Sequence, residues 1–224
     1  MGYYIDLKSI SVYDYLKILK SSDLLPSRMI LKDHIDKKFE LIKNQEVQNV
    51  DELLKLLKSK KKLTDFAIKS GLQEDYLTIL IREIKSYRQN PNKIKDFPGI
   101  NKDTVHKLEN VGIKNTLQLF DKILTHESRT GLAKETGIDE NEILMLSKLT
   151  DLSRIRWVNH TFAYVLVEAN YDTVEEVANA DFNKLYEDVK RLNEERKLYK
   201  AQIGLHDMKL CIEAAKDVSL DIEY

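Results

Sequence analysis

The sequence predicts an all-α protein made of tandem helical repeats of about 66 residues. Long segments place apolar residues three and four positions apart, as in Leu53, Leu54 and Leu57, which is typical of amphipathic helices. Seven glycines and three prolines are too few for the many turns that short strands require. A regular spacing points to repeats, because Gly71, Gly137 and Gly204 are separated by 66 and 67 residues.

The chain divides into three predicted regions. Residues 1–90 form a mildly basic helical region, residues 91–150 a central repeat, and residues 151–224 a degenerate third repeat. Tyr3 to Leu7 is the one segment in which a short strand is expected. Pro91 and Pro98 mark boundaries, since each stops a helix that arrives from the left. Charge changes there as well, from a net +5 up to Asp96 to −6 from Phe97 onward.

The same helix-start pattern occurs in all three regions. A capping residue is followed three positions later by a glutamate or glutamine, a spacing at which the two side chains satisfy free backbone N–H groups. The pairs are Asn49–Glu52, Asn115–Gln118 and Thr173–Glu176. Gly204 comes later than the third pair predicts, so we expect an insertion of about nine residues near Arg191 to Lys200.

Asp96 to Gly112 carries the most specific motif, which resembles a helix-hairpin-helix. Its tight turn, Phe97 to Asn101, exposes backbone N–H groups at a helix N-terminus, where the helix dipole strengthens their attraction for phosphate. Gly99 supplies the left-handed backbone that such a turn needs. Asn101 stands where a second glycine is usual, and asparagine tolerates the left-handed conformation, so the turn is expected to survive.

A weaker second hairpin is predicted at Leu152 to Leu166. Trp157 and Asn159 take its glycine positions, and Asn170 stands where Gly112 stands in the first copy. Arg154 and Arg156 supply positive charge beside this turn. The favoured interpretation of this copy is nevertheless structural: a tryptophan in the turn would crowd a phosphate, and the turn packs Trp157 against a neighbouring helix.

From about Leu24 to its end the chain resembles a bacterial family of uncharacterised proteins related to the helix-hairpin-helix fold. The resemblance is carried by Leu24–Arg28, Asp96–Gly99, Gly112–Thr116, Leu149–Val158 and Leu220–Tyr224. It implies a helical fold with hairpin repeats. It implies no activity, cofactor or catalytic residue.

Two function classes remain open. The first is a non-enzymatic module that binds DNA or RNA through its phosphates, independently of base sequence. Its candidate residues are Gly99, Ile100, Asn101, Lys102, Lys107, Lys60, Lys61, Lys62, Arg154 and Arg156. The second is a scaffold that binds a protein partner and keeps its hairpins only for packing. A net charge of −1 counts against the first, because dedicated nucleic-acid binders are often strongly basic, but the Gly99 turn and its basic neighbours make it the favoured prediction, with the scaffold as the alternative.

Catalysis has little support in the sequence. The five histidines lack the close spacing of a metal site, and neither a phosphate loop nor a Rossmann fingerprint is present. We therefore predict no catalytic residue, metal or cofactor. No apolar run approaches the roughly 18 residues of a membrane span, so the prediction is a cytoplasmic protein without a membrane partner. Cys211, the single cysteine, is expected to be a small packed residue.

Overall fold

A computed structural model describes residues 2–224. Helices are the regular elements of these residues, and no strand occurs among them, which confirms the predicted all-α class. The chain forms two compact units, one of residues 5–88 and one of residues 89–224 with residues 2–4. The division into three functional regions stays a prediction.

The unit of residues 5–88 has five α-helices and one 3-10 turn. Apolar residues at helical spacing form its core, as on α5, where Leu77, Leu80 and Ile84 are fully buried. The elements are α1 Val12–Ser21, the 3-10 turn Pro26–Leu31, α2 Ile35–Lys43, α3 Val50–Leu56, α4 Lys60–Ser70 and α5 Glu74–Ser86.

The unit of residues 89–224 has eight α-helices around its own core, in which Phe120, Leu146 and Leu166 are buried. Its elements are the 3-10 turn Ile94–Asp96, α6 Lys102–Asn110, α7 Thr116–Phe120, α8 His126–Thr136, α9 Glu140–Leu152, α10 His160–Glu168, α11 Val174–Ala178, α12 Phe182–Arg196 and α13 Leu205–Lys216.

The three predicted helix starts are confirmed. The side chains of Asn49, Asn115 and Thr173 accept hydrogen bonds from the backbone N–H groups three residues later, at 3.0, 3.0 and 3.1 Å. The reciprocal bonds extend one residue further back than a capping box requires. Glu52 accepts from the N–H of Gln48, Gln118 from that of Lys114, and Glu176 from those of Asp172 and Thr173.

The three glycines are not conformationally equivalent. Gly71 and Gly137 end α4 and α8 with φ of 73° and 64°, in the left-handed region that favours glycine. Gly204 has φ of −100° and precedes α13 instead. The left-handed residue that ends α12 is Lys197, with φ of 51°. Gly204 is therefore followed by a new helix, as expected, but it does not end a helix as Gly71 and Gly137 do.

Three differences from the second copy account for the delay of Gly204. The connection before α12, residues 179–181, is two residues shorter than residues 121–125 before α8. Helix α12 has 15 residues, four more than the 11 of α8. Gly204 is the eighth residue after α12, whereas Gly137 is the first residue after α8. Taken together, these differences give the delay of nine residues that was expected.

The expected strand at Tyr3 to Leu7 does not form. Tyr3 is buried, and its hydroxyl lies 2.6 Å from Oγ1 of Thr116. Extended pairing in the described residues is limited to two isolated antiparallel bridges, Ser11 with Asn49 and Lys93 with Asn115. No helix among residues 2–224 combines the length and the apolar character needed to cross a bilayer. Cys211 is buried, as predicted, and burial raises the pKa of its thiol to about 12.

Candidate nucleic-acid interface

The Pro-Gly turn before α6 has the backbone conformation that the sequence predicts. Phe97 is buried in the core beneath the turn, and Gly99 is exposed with φ of 76°. A Cβ at this glycine would lie 3.8 Å from the hydroxyl oxygen of Tyr164. The left-handed backbone therefore favours glycine at position 99. Lack of space is not the reason, because a Cβ there would make only an ordinary van der Waals contact.

Asn101 does not adopt the left-handed conformation that we expected for it. Its φ of −67° and ψ of 134° are extended, and its Oδ1 accepts a hydrogen bond from the N–H of Asp103 at 2.9 Å. Asparagine is one of the preferred N-cap residues because its side-chain oxygen satisfies a free donor of the first turn. Asn101 thus begins α6 as its N-cap.

Free backbone donors cluster at this turn. Among residues 2–224, no acceptor takes a hydrogen bond from the N–H of Gly99, Ile100 or Lys102. Gly99 and Lys102 are exposed, and Ile100 is half-buried. These donors lie at the positive end of the α6 dipole, an arrangement that attracts anions.

The two lysines of α6 have different surroundings. The side chain of Lys102 is exposed at the start of the helix, beside the free donors. Lys107 binds Asp103 at 2.8 Å and donates to the carbonyl oxygen of Gly137 at 3.1 Å. Lys107 therefore satisfies the C-terminus of α8, and Lys102 is the lysine placed at the turn.

The second hairpin has the same left-handed turn, but its donors are occupied. Trp157 has φ of 68°, and its N–H donates to Oε1 of Gln89 at 3.1 Å. The N–H of His160 donates to Oδ1 of Asn92, also at 3.1 Å. These two donors correspond in position to those of Gly99 and Lys102. Side-chain amide oxygens of the same unit thus fill the places that an anion would take.

Gln89 is fixed in this position by its other amide atom. Its Nε2 donates to the carbonyl oxygens of Ser153, Ile155 and Val158 at 2.6, 2.9 and 3.2 Å. Three acceptors around the nitrogen define the orientation of the amide and leave its oxygen facing the N–H of Trp157. The side chain of Gln89 therefore closes the second turn by hydrogen bonding to four backbone groups of residues 153–158.

Arg154 lies inside the unit. Its side chain is 1% exposed and binds Asp151 at 2.8 Å and Asp221 at 3.0 Å, and it donates to the carbonyl oxygen of Ser219 at 2.9 Å. Burial raises the pKa of Asp151, an effect that the charge of Arg154 opposes. The charge of Arg154 is committed to the C-terminal segment, so it faces no external phosphate.

Arg156 is also buried, and its guanidinium lies 4.2 Å from the centre of the Trp157 ring. This stacking is a cation–π contact. Burial raises the pKa of the nearby Asp217 carboxyl, and the charge of Arg156 partly opposes this rise. Both arginines that the sequence suggested as surface charges therefore serve packing in the second hairpin.

Lys60, Lys61 and Lys62 begin α4 in the unit of residues 5–88. All three are exposed, and none forms an ion pair with any of residues 2–224. Ser59 caps the helix by accepting from the N–H of Lys62. The structure thus gives this basic run a free, solvated surface, and it keeps the hairpin residues in a separate unit.

Four residues at the two hairpins carried no signal in the sequence. Gln89 and Asn92 close the second turn, while Tyr164 and Arg196 lie beside the first. The hydroxyl of Tyr164 accepts from Nη2 of Arg196 at 3.3 Å, and Arg196 also forms an ion pair with Glu168. The contacts of Gln89 with Trp157, of Asn92 with His160 and of Tyr164 with Arg196 join residues 68, 68 and 32 positions apart. Local sequence patterns do not encode contacts at such separations.

Within residues 2–224, no three His, Cys, Asp or Glu side chains are close enough together to hold a metal ion. The described residues form an all-helical protein in which the backbone donors of Gly99 and Lys102 are free and those of Trp157 and His160 are occupied. A protein-family model described as a domain of unknown function, DUF4332, matches residues 98–218. The chain belongs to that family.

The matched range begins at Pro98, inside the first turn, and includes all of the second, whereas the resemblance seen at Leu24–Arg28 and Leu220–Tyr224 lies outside it. No curated protein and no solved structure matches the chain.

Proposed function

We propose that this protein is a non-enzymatic, helix-hairpin-helix-like module that binds nucleic acid through phosphates, independently of base sequence. The observation that carries the proposal is the contrast between the two turns. Gln89 and Asn92 accept hydrogen bonds from Trp157 and His160 in the second turn, while within the described residues no side chain does so for Gly99 and Lys102. A phosphate oxygen is the kind of acceptor that these free donors suit.

Repetition of helix lengths supports the hairpin-repeat interpretation. Helices α2, α6 and α10 each have nine residues, and each is followed by a left-handed residue, namely Glu46, Gly112 or Asn170. Helices α5 and α9 each have 13 residues. After α6 and α10, the N–H three positions beyond the helix donates to the carbonyl five residues earlier, from Ile113 to Leu108 and from Tyr171 to Leu166.

Electrostatics around the first turn favours a contact of modest strength. Lys102 is exposed at the turn, and Arg196 lies near Gly99 through Tyr164. Glu168 is paired with Arg196, however, and Asp103, which is paired with Lys107, adds a negative charge next to Lys102. Lys60 to Lys62 add a second basic surface in the other unit. We infer few phosphate contacts, and therefore an affinity that falls as salt rises with a shallow slope.

The test is a fluorescence titration with labelled single- and double-stranded DNA and RNA, at low and at physiological salt. Gly99→Val should weaken binding, because a β-branched residue is strained at φ of 76° and alters the turn that carries the donors. Gly137→Val is the matched control, since it introduces the same strain at φ of 64° in a helix end that has no proposed ligand.

If Gly99→Val and Gly137→Val weaken binding equally, the loss of binding results from lower stability of the fold, and the Gly99 turn is not part of the binding mechanism. Replacement of Lys60, Lys61 and Lys62 by Gln should flatten the salt dependence if those side chains contact phosphates. An unchanged slope would confine the interface to the unit of the hairpins.

A protein-interaction scaffold is the second candidate. The closed second turn and the buried Arg154 and Arg156 favour it, because that hairpin is used for packing alone. The net charge of −6 from Phe97 onward also opposes a nucleic-acid backbone. Absence of binding to all four nucleic acids at low salt would decide for the scaffold. A cytoplasmic location remains part of the proposal in both cases.

A further inference from the structure

The unit of residues 5–88 contains a groove between α1 and α2 with a volume of about 760 Å³. We call it the α1–α2 groove and define it by its apolar floor of Val12, Leu16, Phe39 and Val47. Val12, Phe39 and Val47 are buried, and Leu16 is half-buried. The volume lies in the range of about 300–1,000 Å³ that ligand sites occupy.

An exposed aromatic ring stands at the side of this groove. Tyr13 is 65% exposed, the most of any tyrosine among the exposed large apolar residues. The ammonium of Lys17 lies 4.1 Å from the centre of its ring, so the ring already accepts a cation on its face. Exposed tyrosines beside apolar pockets are common anchors in protein interfaces.

The rim of the groove is acidic. Asp36, Glu40 and Glu46 line it, with Lys43 as the single cation. Asp36 is paired with Lys20, while Glu40 and Glu46 form no ion pair among residues 2–224. The surrounding unit is basic overall, because residues 5–88 contain 17 Lys and Arg against 13 Asp and Glu, a net of +4. The negative rim is thus a local departure from the charge of its unit.

We propose that the α1–α2 groove binds a peptide segment of a partner protein in which an aliphatic side chain is flanked by Lys or Arg. The aliphatic side chain packs on the floor, and the flanking cations face Glu40 and Glu46. Charge complementarity selects this occupant, because an anionic chain would meet three carboxylates and a purely polar one would leave the floor exposed. The proposal is independent of the one for the Gly99 turn.

The test uses three labelled ten-residue peptides and fluorescence polarisation with the full chain. The first combines leucines with lysines, the second replaces the lysines with glutamates, and the third replaces the leucines with serines. We expect the first to bind at least about tenfold more tightly than the other two, because only it satisfies both floor and rim. Equal binding of the first and third peptides would reduce the interaction to surface charge and overturn the proposal.

Two variants locate the binding. Tyr13→Ala and the pair Glu40→Gln with Glu46→Gln should each weaken binding of the first peptide, the pair by about threefold to tenfold for two exposed charges. The matched control is Glu74→Gln with Asp75→Asn, which removes two exposed charges from the same unit outside the groove. If the control weakens binding as much as the groove variants, the groove is not the site.

Discussion

Gln89→Ala tests whether a side-chain amide closes the second turn. The substitution removes four hydrogen-bond contacts. The two N–H groups of Nε2 serve the carbonyls of Ser153, Ile155 and Val158, so one of them is shared, and Oε1 accepts from the N–H of Trp157. Those three residues are at most 1% exposed, so water has little access to replace the amide. Each bond contributes about 0.5–1.5 kcal/mol net, and the unpaired groups add to the loss.

We expect Gln89→Ala to lower the free energy of unfolding of this unit by about 2–4 kcal/mol, since the four bonds share one side chain and their losses overlap. With a urea slope of about 2 kcal/mol/M, the midpoint should fall by about 1–2 M. The assay is urea unfolding followed by fluorescence of Trp157, the sole tryptophan, which lies in the turn itself.

Gln89→Glu tests the accepting oxygen of the amide separately from its donating NH₂ group. The carboxylate can accept from the N–H of Trp157, but it cannot donate to three carbonyls and adds a negative charge beside them. It should therefore destabilise at least as much as alanine. A loss below about 0.5 kcal/mol for Gln89→Ala, with an unchanged slope, would refute the reasoning, because surface substitutions commonly have effects of that size.

Three further predictions concern other parts of the fold. Gly131→Ala should raise the free energy of unfolding by about 0.5–1 kcal/mol in urea titrations, because Gly131 lies inside α8 and an added Cβ meets nothing within 4 Å. The hydrogen bond from Lys55, and to a smaller extent that from Arg88, holds the pKa of Asp51 below its usual value. The ionised Asp51 therefore stabilises the folded state above a pH of about 3.9, and this contribution is lost as pH falls through the lowered pKa. Asp51→Asn should accordingly destabilise at pH 7, with a difference from the wild type that shrinks in acid. If nucleic acid binds at the Gly99 turn, Arg196→Gln should reduce the salt slope by about 0.7–0.9, the value for one lost phosphate contact, and Arg191→Gln should leave it unchanged.

Local signals in the sequence predicted the parts of the fold that depend on neighbouring residues. Asn115 and Thr173 cap helices because a side-chain oxygen reaches an N–H three residues away, and this distance is visible in the sequence. The left-handed turn at Gly99 follows from Pro-Gly for the same reason. Lys197 shows the limit, since lysine gives no indication of a left-handed helix end. Gly204, which the repeat spacing singled out, begins the next helix instead.

Long-range contacts account for what the sequence could not predict at the candidate site. Arginine is mostly exposed in proteins, so Arg154 and Arg156 were expected at the surface. Their burial depends on Asp151, on Asp221 and on stacking against aromatic rings. Gln89 likewise lies 68 residues from Trp157, beyond the reach of any motif.

The two turns differ in how their backbone conformation is maintained. Trp157 at φ of 68° is strained, as a bulky residue is in the left-handed region, and the bonds of Gln89 and Asn92 offset that cost. Gly99 adopts φ of 76° without strain and without any such support. Packing therefore accounts for the second turn and its occupied donors. It does not account for the donors of Gly99 and Lys102, which no acceptor in the described part of the chain occupies. We therefore propose the Gly99 turn, and not its arginine-rich counterpart, as the place where a phosphate would bind.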